Sequence, residues 1–375
     1  DDINVLYHFV KAAARCGELE EAAAVARRCV ENPPPGTPEE IVQASAVQLS
    51  RLELQRGHHE EAMTVLADAL ERRPDDPVAR FFMGDLLRRQ GDLEGARREL
   101  EAARVSPVRF DLLPVPVAGL NRAIRMQLGE IQEILGRPAE AAAVYREAYS
   151  QQLEDAALGR ALARALVAAG ATADALGILD RLPEDPAHRH ELMLLRATAA
   201  FDEARDDEAE RLFAQVEQDN PRMWAAALHR GHLRLRRADI RGALPHYERA
   251  LGLADVPETR VGLAAAQLEA GLLTACLDNL AEAVDQCSTR PLPHGTEALS
   301  GEALLRFGRP QEAQGAFERH LRRYGPDARV VSRLADCYRE MGAGEAARVG
   351  YQEALKLDDS LDEARRGLAR LETVH

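Results

Sequence analysis

The chain has 375 residues, 62 acidic against 48 basic, a formal charge of −14 and aromatic side chains at only 4 %. A chain this acidic lacks the basic footprint that nucleic-acid phosphates demand, which excludes the usual nucleic-acid binder. Abundant alanine, leucine and arginine, with little alternation of β-branched residues, argue against strands and for helices held together by small-residue contacts.

In chain order the elements repeat one beat. A turn residue is followed five places later by a small one at Gly17/Ala22, Gly57/Ala62, Gly91/Ala96, Gly136/Ala141 and Gly170/Ala175. The series continues at Ala204/Ala209, Ala238/Ala243, Gly271/Cys276, Gly308/Ala313 and Gly342/Ala347. Most steps, such as Ala62 to Ala96 and Ala141 to Ala175, are about 34 residues, and self-similarity at that period signals a solenoid. Solenoids make extended surfaces more readily than enclosed catalytic pockets.

Each unit reads as a first helix, a tight turn, a second helix and a linker rich in proline or aspartate. The units lie near 3–36, 43–76, 77–105, 122–155, 156–189, 190–223, 224–256, 257–290, 294–327 and 328–360, together a single array over 3–360. In the third, the first helix is expected from Pro77 to Gln90, Gly91 turns the chain, and the second helix follows from about Leu93 to Arg104. Glycine past a helix end accepts the left-handed conformation that other residues resist. Pro74, Pro186 and Pro221 close their units, because proline cannot continue a helix.

The beat is interrupted around Pro33–Pro38, over 106–118 and near Pro291-Leu292-Pro293. The stretch 106–118 is apolar, with Phe110, Leu112, Leu113, Val115 and Val117, and is expected to be an ordered loop folded back onto a groove or an edge. After the last unit, 361–375 places Ala364, Leu368 and Leu371 at helical spacing among charged residues, as a helix capping an open stack does.

The chemistry-bearing residues are sparse. Cys16, Cys29, Cys276, Cys287 and Cys337 are odd in number and widely spaced, which reads as free thiols in a reducing, cytoplasmic setting. There is no signal peptide and no apolar run to span a bilayer, so no membrane partner is expected. The chain opens on Asp1-Asp2 without an initiator methionine, as an excised piece does. His58-His59 and His188-x-His190 are the only tight histidine groupings, and neither has a third ligand at metal spacing. Acids such as Glu60-Glu61 open second helices, where the positive helix end favours them. No phosphate-binding loop, nucleophile elbow or dinucleotide fingerprint occurs. No catalytic residue, metal or cofactor is therefore expected.

Within the units, Gly84, Gly129, Gly231 and Gly301 occupy a small-residue position of the first helix. Second helices carry Ala141/Tyr145, Ala209/Phe213, Ala243/Tyr247, Ala313/Phe317 and Ala347/Tyr351, then Ala69, Ala103, Ala148, Ala250, Ala283 or Ala354. This pattern resembles the tetratricopeptide repeat from Asn4 to Lys356. The resemblance implies an all-α, right-handed α-solenoid, a superhelix of about ten helix-turn-helix units plus a C-terminal capping helix. It implies a protein-interaction scaffold, with the first helices lining a concave groove for a protein or peptide. The recurring aromatics of the second helices are read as core.

On that alignment the inward residues are Tyr7, Lys11, Arg15, Arg51, Phe81, Asp85, Arg88, Arg89, Arg160, Arg164, His232 and Arg236. Their arginines could hold carboxylates or phosphates through forked hydrogen bonds, or could pair with Asp85, Glu130 and Glu133. Trp224 and Phe201 are candidate apolar anchors, and Phe110, Leu112 and Leu113 candidate loop contacts. The lysine and asparagine clamp of chaperone-tail binders and the asparagine ladder of the nucleocytoplasmic sugar transferase are both missing.

The lengthened linker after the third unit is also similar to the repeat region of bacterial family 2 glycosyltransferases. The residues concerned are Asn4-Val5-Leu6-Tyr7-His8, Phe110 to Val117 and Leu120 to Gly136. That similarity implies an acceptor-binding accessory region whose transferase lies elsewhere. A peptide-sensing regulator is a third reading, although no helix-turn-helix precedes the repeats. Partner and oligomeric state are left open.

Overall fold

A computed structural model describes residues 8, 10, 12–13, 16–106, 117–151, 155–183, 185–287 and 291–372, the side chains of 117, 118 and 372 excepted. Among the described residues there are twenty long helices and no strand. The chain divides into two compact units, Asp1–Glu184 and Asp185–His375.

The first unit contains α1 (Leu19–Glu31), α2 (Glu39–Gln55), α3 (His59–Arg72), α4 (Pro77–Gln90), α5 (Leu93–Val105), α6 (Val117–Ile134), α7 (Pro138–Gln151), α8 (Ala156–Ala168) and α9 (Thr172–Leu179). The second contains α10 (Arg189–Asp202), α11 (Asp206–Asp219), α12 (Trp224–Arg236), α13 (Ile240–Leu253), α14 (Pro257–Glu269) and α15 (Leu273–Asp285). It continues with α16 (Thr296–Arg306), α17 (Pro310–Tyr324), α18 (Ala328–Glu340), α19 (Gly344–Leu357) and α20 (Asp362–Glu372).

The turn residues explain why the helices come in pairs. Gly17, Gly57, Gly91, Gly136, Gly170, Gly271, Gly308 and Gly342 all have φ between 72° and 87°, and Ala204 and Ala238 sit at 56°. In the α4–α5 turn the Gly91 N–H donates to the Arg88 carbonyl at 3.1 Å and the Asp92 N–H to Leu87 at 3.0 Å. These bonds occupy two carbonyls that the helix end leaves open. Asp92 then accepts from the Gly95 N–H at 2.8 Å and so caps α5. The chain reverses within two residues, and both helix ends are satisfied.

Packing follows from the same beat. Ala22, Ala62, Ala96, Ala141, Ala175, Ala209, Ala243, Cys276, Ala313 and Ala347 are each 0 % exposed. They occupy the closest approach within each helix pair, where a larger side chain would drive the backbones apart. Tyr145, Phe213, Tyr247, Phe317 and Tyr351 are also buried. The small first-helix residues receive these rings: a Cβ on Gly129 would lie 2.3 Å from Tyr145 ring carbons, and one on Gly301 2.6 Å from Phe317.

Within each unit, helices pack on their chain neighbours, and first helices also approach the next first helix: α2 with α4, α4 with α6, and α10 with α12 through to α18 with α20. Second helices of the described residues make no comparable approach to one another. The first helices therefore form the tighter, inner side of each unit. No helix among the described residues is long and apolar enough to cross a membrane.

Candidate functional site: the face of the first helices

Side chains on this face link one first helix to the next. In the first unit the Arg51 guanidinium of α2 lies 5.5 Å from the ring centroid of Phe82 on α4. Asp85 of α4, only 9 % exposed, accepts from Arg88 at 2.9 Å, from Arg89 at 2.8 Å and from the Gln127 amide of α6 at 3.3 Å. Glu133 of α6 accepts a forked pair of bonds from Arg164 of α8, at 3.0 and 3.1 Å. The Tyr145 hydroxyl donates to the same carboxylate at 3.1 Å, and burial drives its phenol pKa far above the usual range.

The second unit repeats the arrangement with different chemistry. Arg236 of α12 stacks over the Phe201 ring of α10, with its guanidinium carbon 3.6 Å from the centroid. It also donates to the Phe201 carbonyl at 2.9 Å and pairs with Asp206 at 3.0 Å. His229 stacks on Phe213 at 5.0 Å, and the Nδ1 of His232 lies 2.7 Å from the Tyr247 hydroxyl. Burial pushes the His229 imidazole down to about 3 and His232 down to about 4, with smaller contributions from His232 and Arg236 respectively. Both rings are neutral at pH 7.

The structure thus places the predicted site residues in two groups. Arg51, Phe81, Asp85, Arg88, Arg160 and Arg164 lie in the first unit; His232 and Arg236 lie in the second. Phe81 is 9 % exposed, set edge-on against Phe82 at 5.3 Å within the core, so it offers no projecting anchor. Of the two pairing schemes open in the sequence, Arg88 and Arg164 adopt the intramolecular one, with Asp85 and Glu133. Arg160 also has an intramolecular partner. Trp224 packs against the core around Tyr247. Tyr7, Lys11, Arg15, Phe110, Leu112 and Leu113 lie outside the described residues.

A concavity missed in the sequence opens on the same face at the end of the second unit. It has a volume of about 440 Å³ and is walled by α16, α18 and α20. Glu302 bridges Arg306 at 2.8 Å and Arg333 at 3.0 Å. Asp336 meets Arg333 at 3.1 Å and Arg339 at 3.5 Å, and accepts from the Tyr351 hydroxyl at 2.6 Å. Arg366 and Arg370 of α20 complete the wall. A sequence signal for it existed: Asp336 and Arg339 precede Gly342 by the same intervals at which Asp85 and Arg88 precede Gly91.

Three core tyrosines have a second role on this face. Tyr145, Tyr247 and Tyr351 project their hydroxyls through the helix pair to Glu133, His232 and Asp336. Phe213 and Phe317, at the corresponding position in other repeats, have no hydroxyl to do so. Among the described residues no group of three histidine, cysteine or carboxylate side chains is arranged to hold a metal. His58 instead lies 2.8 Å from the buried Glu53, and His188 lies 2.6 Å from Asp185.

Family models described as tetratricopeptide repeat match residues 53–105 and 299–363. No curated protein sequence matches. Among solved structures, the human IFIT1 dimer with PPP-AAAA is similar over 95 % of this chain and 85 % of its own, at 13 % identity and a TM-score of 0.56. Yeast Tom70 is similar over 99 % of this chain and 95 % of its own, at 12 % identity and a TM-score of 0.41. A tetratricopeptide repeat protein from Parabacteroides merdae covers 78 % of this chain and 97 % of its own, at 16 % identity and a TM-score of 0.39. At these identities the first is a likeness of fold. None of these matches supports a relationship to the family 2 glycosyltransferases.

Proposed function

We propose that this chain, a tetratricopeptide-repeat protein, is a non-catalytic scaffold that holds a peptide or partner segment against the inner face of its first helices. The carrying observation is the concavity on α16, α18 and α20, where polar and charged side chains from three helices surround a space of about 440 Å³. Three helices from successive repeats approach one another there, and their ion pairs set donors and acceptors in place before a segment binds.

Affinity purification from lysate with the immobilised chain tests this reading. The double substitution Arg306→Glu and Arg339→Glu should deplete partners retained by the unaltered chain. Arg348→Glu on α19, whose side chain reaches only the exposed Glu345, should not. Equal retention by all three proteins would remove the inner face from consideration.

A further inference from the structure

Two second helices of the second unit carry opposite charges that their own chain leaves unpaired. α15 has three acids, Asp278, Glu282 and Asp285, and no arginine or lysine. Their spacing of four and then three residues sets them along one side of the helix, and all three are exposed. Glu282 feels the field of Arg260, but among the described residues none of the three carboxylates makes a hydrogen bond or an ion pair.

α17 is the counterpart. Both of its acids are engaged: Glu312 accepts a forked pair of bonds from Arg309 at 2.6 Å each, and Glu318 accepts from the Gln314 amide at 2.6 Å. Arg323 reaches Glu297 at 3.6 Å. Arg319 and Arg322, one turn apart and exposed, have no carboxylate partner among the described residues. By contrast α5 and α19 settle such charges on themselves, Arg97 with Glu94 and Glu101, Arg348 with Glu345, and Lys356 with Glu353. Apolar side chains lie beside both unpaired sets. Val284, next to Asp285, is 46 % exposed, and Tyr324, two residues beyond Arg322, is 39 % exposed. Exposed apolar groups rimmed by charge have the anatomy of a protein interface.

The arrangement is self-complementary. Within the chain α15 and α17 pack on α16 rather than on each other, which leaves the two rows side by side and apart. A two-fold axis passing between them sets α15 of one copy against α17 of the other, and symmetry repeats the contact. An axis on either helix would instead face like charge with like. Each copy carries −14 overall, but charges more than about 8 Å apart are screened at physiological ionic strength, whereas contacting pairs are screened much less.

We propose that α15 and α17 form a self-association surface, on which a second copy of this chain docks about a two-fold axis with Asp278 and Glu282 facing Arg319 and Arg322. The surface lies on second helices, so it goes beyond the scaffold reading and leaves the inner face of the first helices open.

Sedimentation velocity of the full chain tests this. Between about 1 and about 100 µM the unaltered chain should pass from monomer to dimer, as a small interface of moderate affinity does. Arg319→Glu with Arg322→Glu should weaken dimerisation at least about tenfold, and so should Asp278→Arg with Glu282→Arg. The second result is diagnostic, because making the chain less acidic would by itself favour association. Mixed one to one, the two variants should dimerise again, since every α15 then faces an α17 of opposite charge. Arg348→Glu on α19 should leave the dimer unchanged. Circular dichroism melts accompany each variant, and paired alanine substitutions at the same positions replace any reversal that fails to fold.

A chain that stays monomeric throughout the series, a dimer that survives either reversal, or variants that do not pair when mixed would each overturn the assignment. So would an equal loss in Arg348→Glu, or growth beyond a dimer, since a two-fold contact closes on itself.

Discussion

Replacing Ala204 and Ala238 by glycine should stabilise the protein, although each substitution deletes a methyl group and adds no contact. These alanines are the only non-glycine residues with positive φ among the described residues, and both sit at 56° where eight other helix pairs place glycine. Holding an L-residue left-handed costs about 1–2 kcal/mol. Glycine's extra freedom in the unfolded chain returns about 0.4–1 kcal/mol of that gain. The expected net stabilisation is about 0.5–1 kcal/mol per site. For a unit of this size that corresponds to a rise in melting temperature of about 1–4 °C. The two turns are joined by Arg236, which pairs with Asp206 and donates to the Phe201 carbonyl, so the double variant should depart from the simple sum.

Thermal and urea melts followed by circular dichroism measure the effect, with an unchanged urea slope marking a true stability change. The reciprocal control is Gly271→Ala. Its φ is 75°, and nothing lies within 4 Å of the added Cβ, so only backbone strain is introduced. It should lose about 1 kcal/mol. Neutral alanine-to-glycine changes alongside a neutral Gly271→Ala would refute the argument that left-handed geometry limits stability at these turns.

Other consequences can be measured separately. His229 and His232 have folded pKa values depressed to about 3 and about 4, below the unfolded value, so the unfolded chain takes up protons first. Their stabilising effect is complete above about pH 6.5 and is lost as pH falls, by about 2 kcal/mol for each at pH 5. Melts between neutral pH and pH 5 should show this loss, and His229→Phe, which preserves a ring on Phe213, should remove about half of it. Gly129→Ala forces a methyl group to within 2.3 Å of the Tyr145 ring and should cost about 1–3 kcal/mol in a urea melt; an unaltered midpoint would show that the α6–α7 contact is looser than described. Tyr351→Phe removes the donor to Asp336 while keeping the ring, so it should cost about 1.5–3 kcal/mol. A loss well below that range would mean that Arg333 and Arg339 alone hold the carboxylate.

The helix pairs were legible because backbone chemistry and local spacing set them. A glycine, or a tolerated alanine, at the left-handed position and a small residue five places later specify a reversal and a close crossing without reference to distant parts of the chain. The candidate site was legible only as a list of positions sharing a face. Phe81 reads as an anchor from its register, yet neighbouring helices bury it in the core beside Phe82. Arg88 and Arg164 read as ligand donors or as ion pairs, and which they become depends on Asp85 within α4 and Glu133 on another helix.

The sequence by itself determined the residues at which the helix pairs turn, and which small residues and rings fill the interior, because those choices are made within one repeat. Only the tertiary structure decided which charges neutralise one another and where a concavity remains. Arg306, Arg333 and Arg370 belong to three different helices, and their convergence on one groove is a product of stacking that no spacing along the chain encodes. Electrostatic pairing acts over ångströms in space, so its outcome becomes fixed only once neighbouring repeats are in contact.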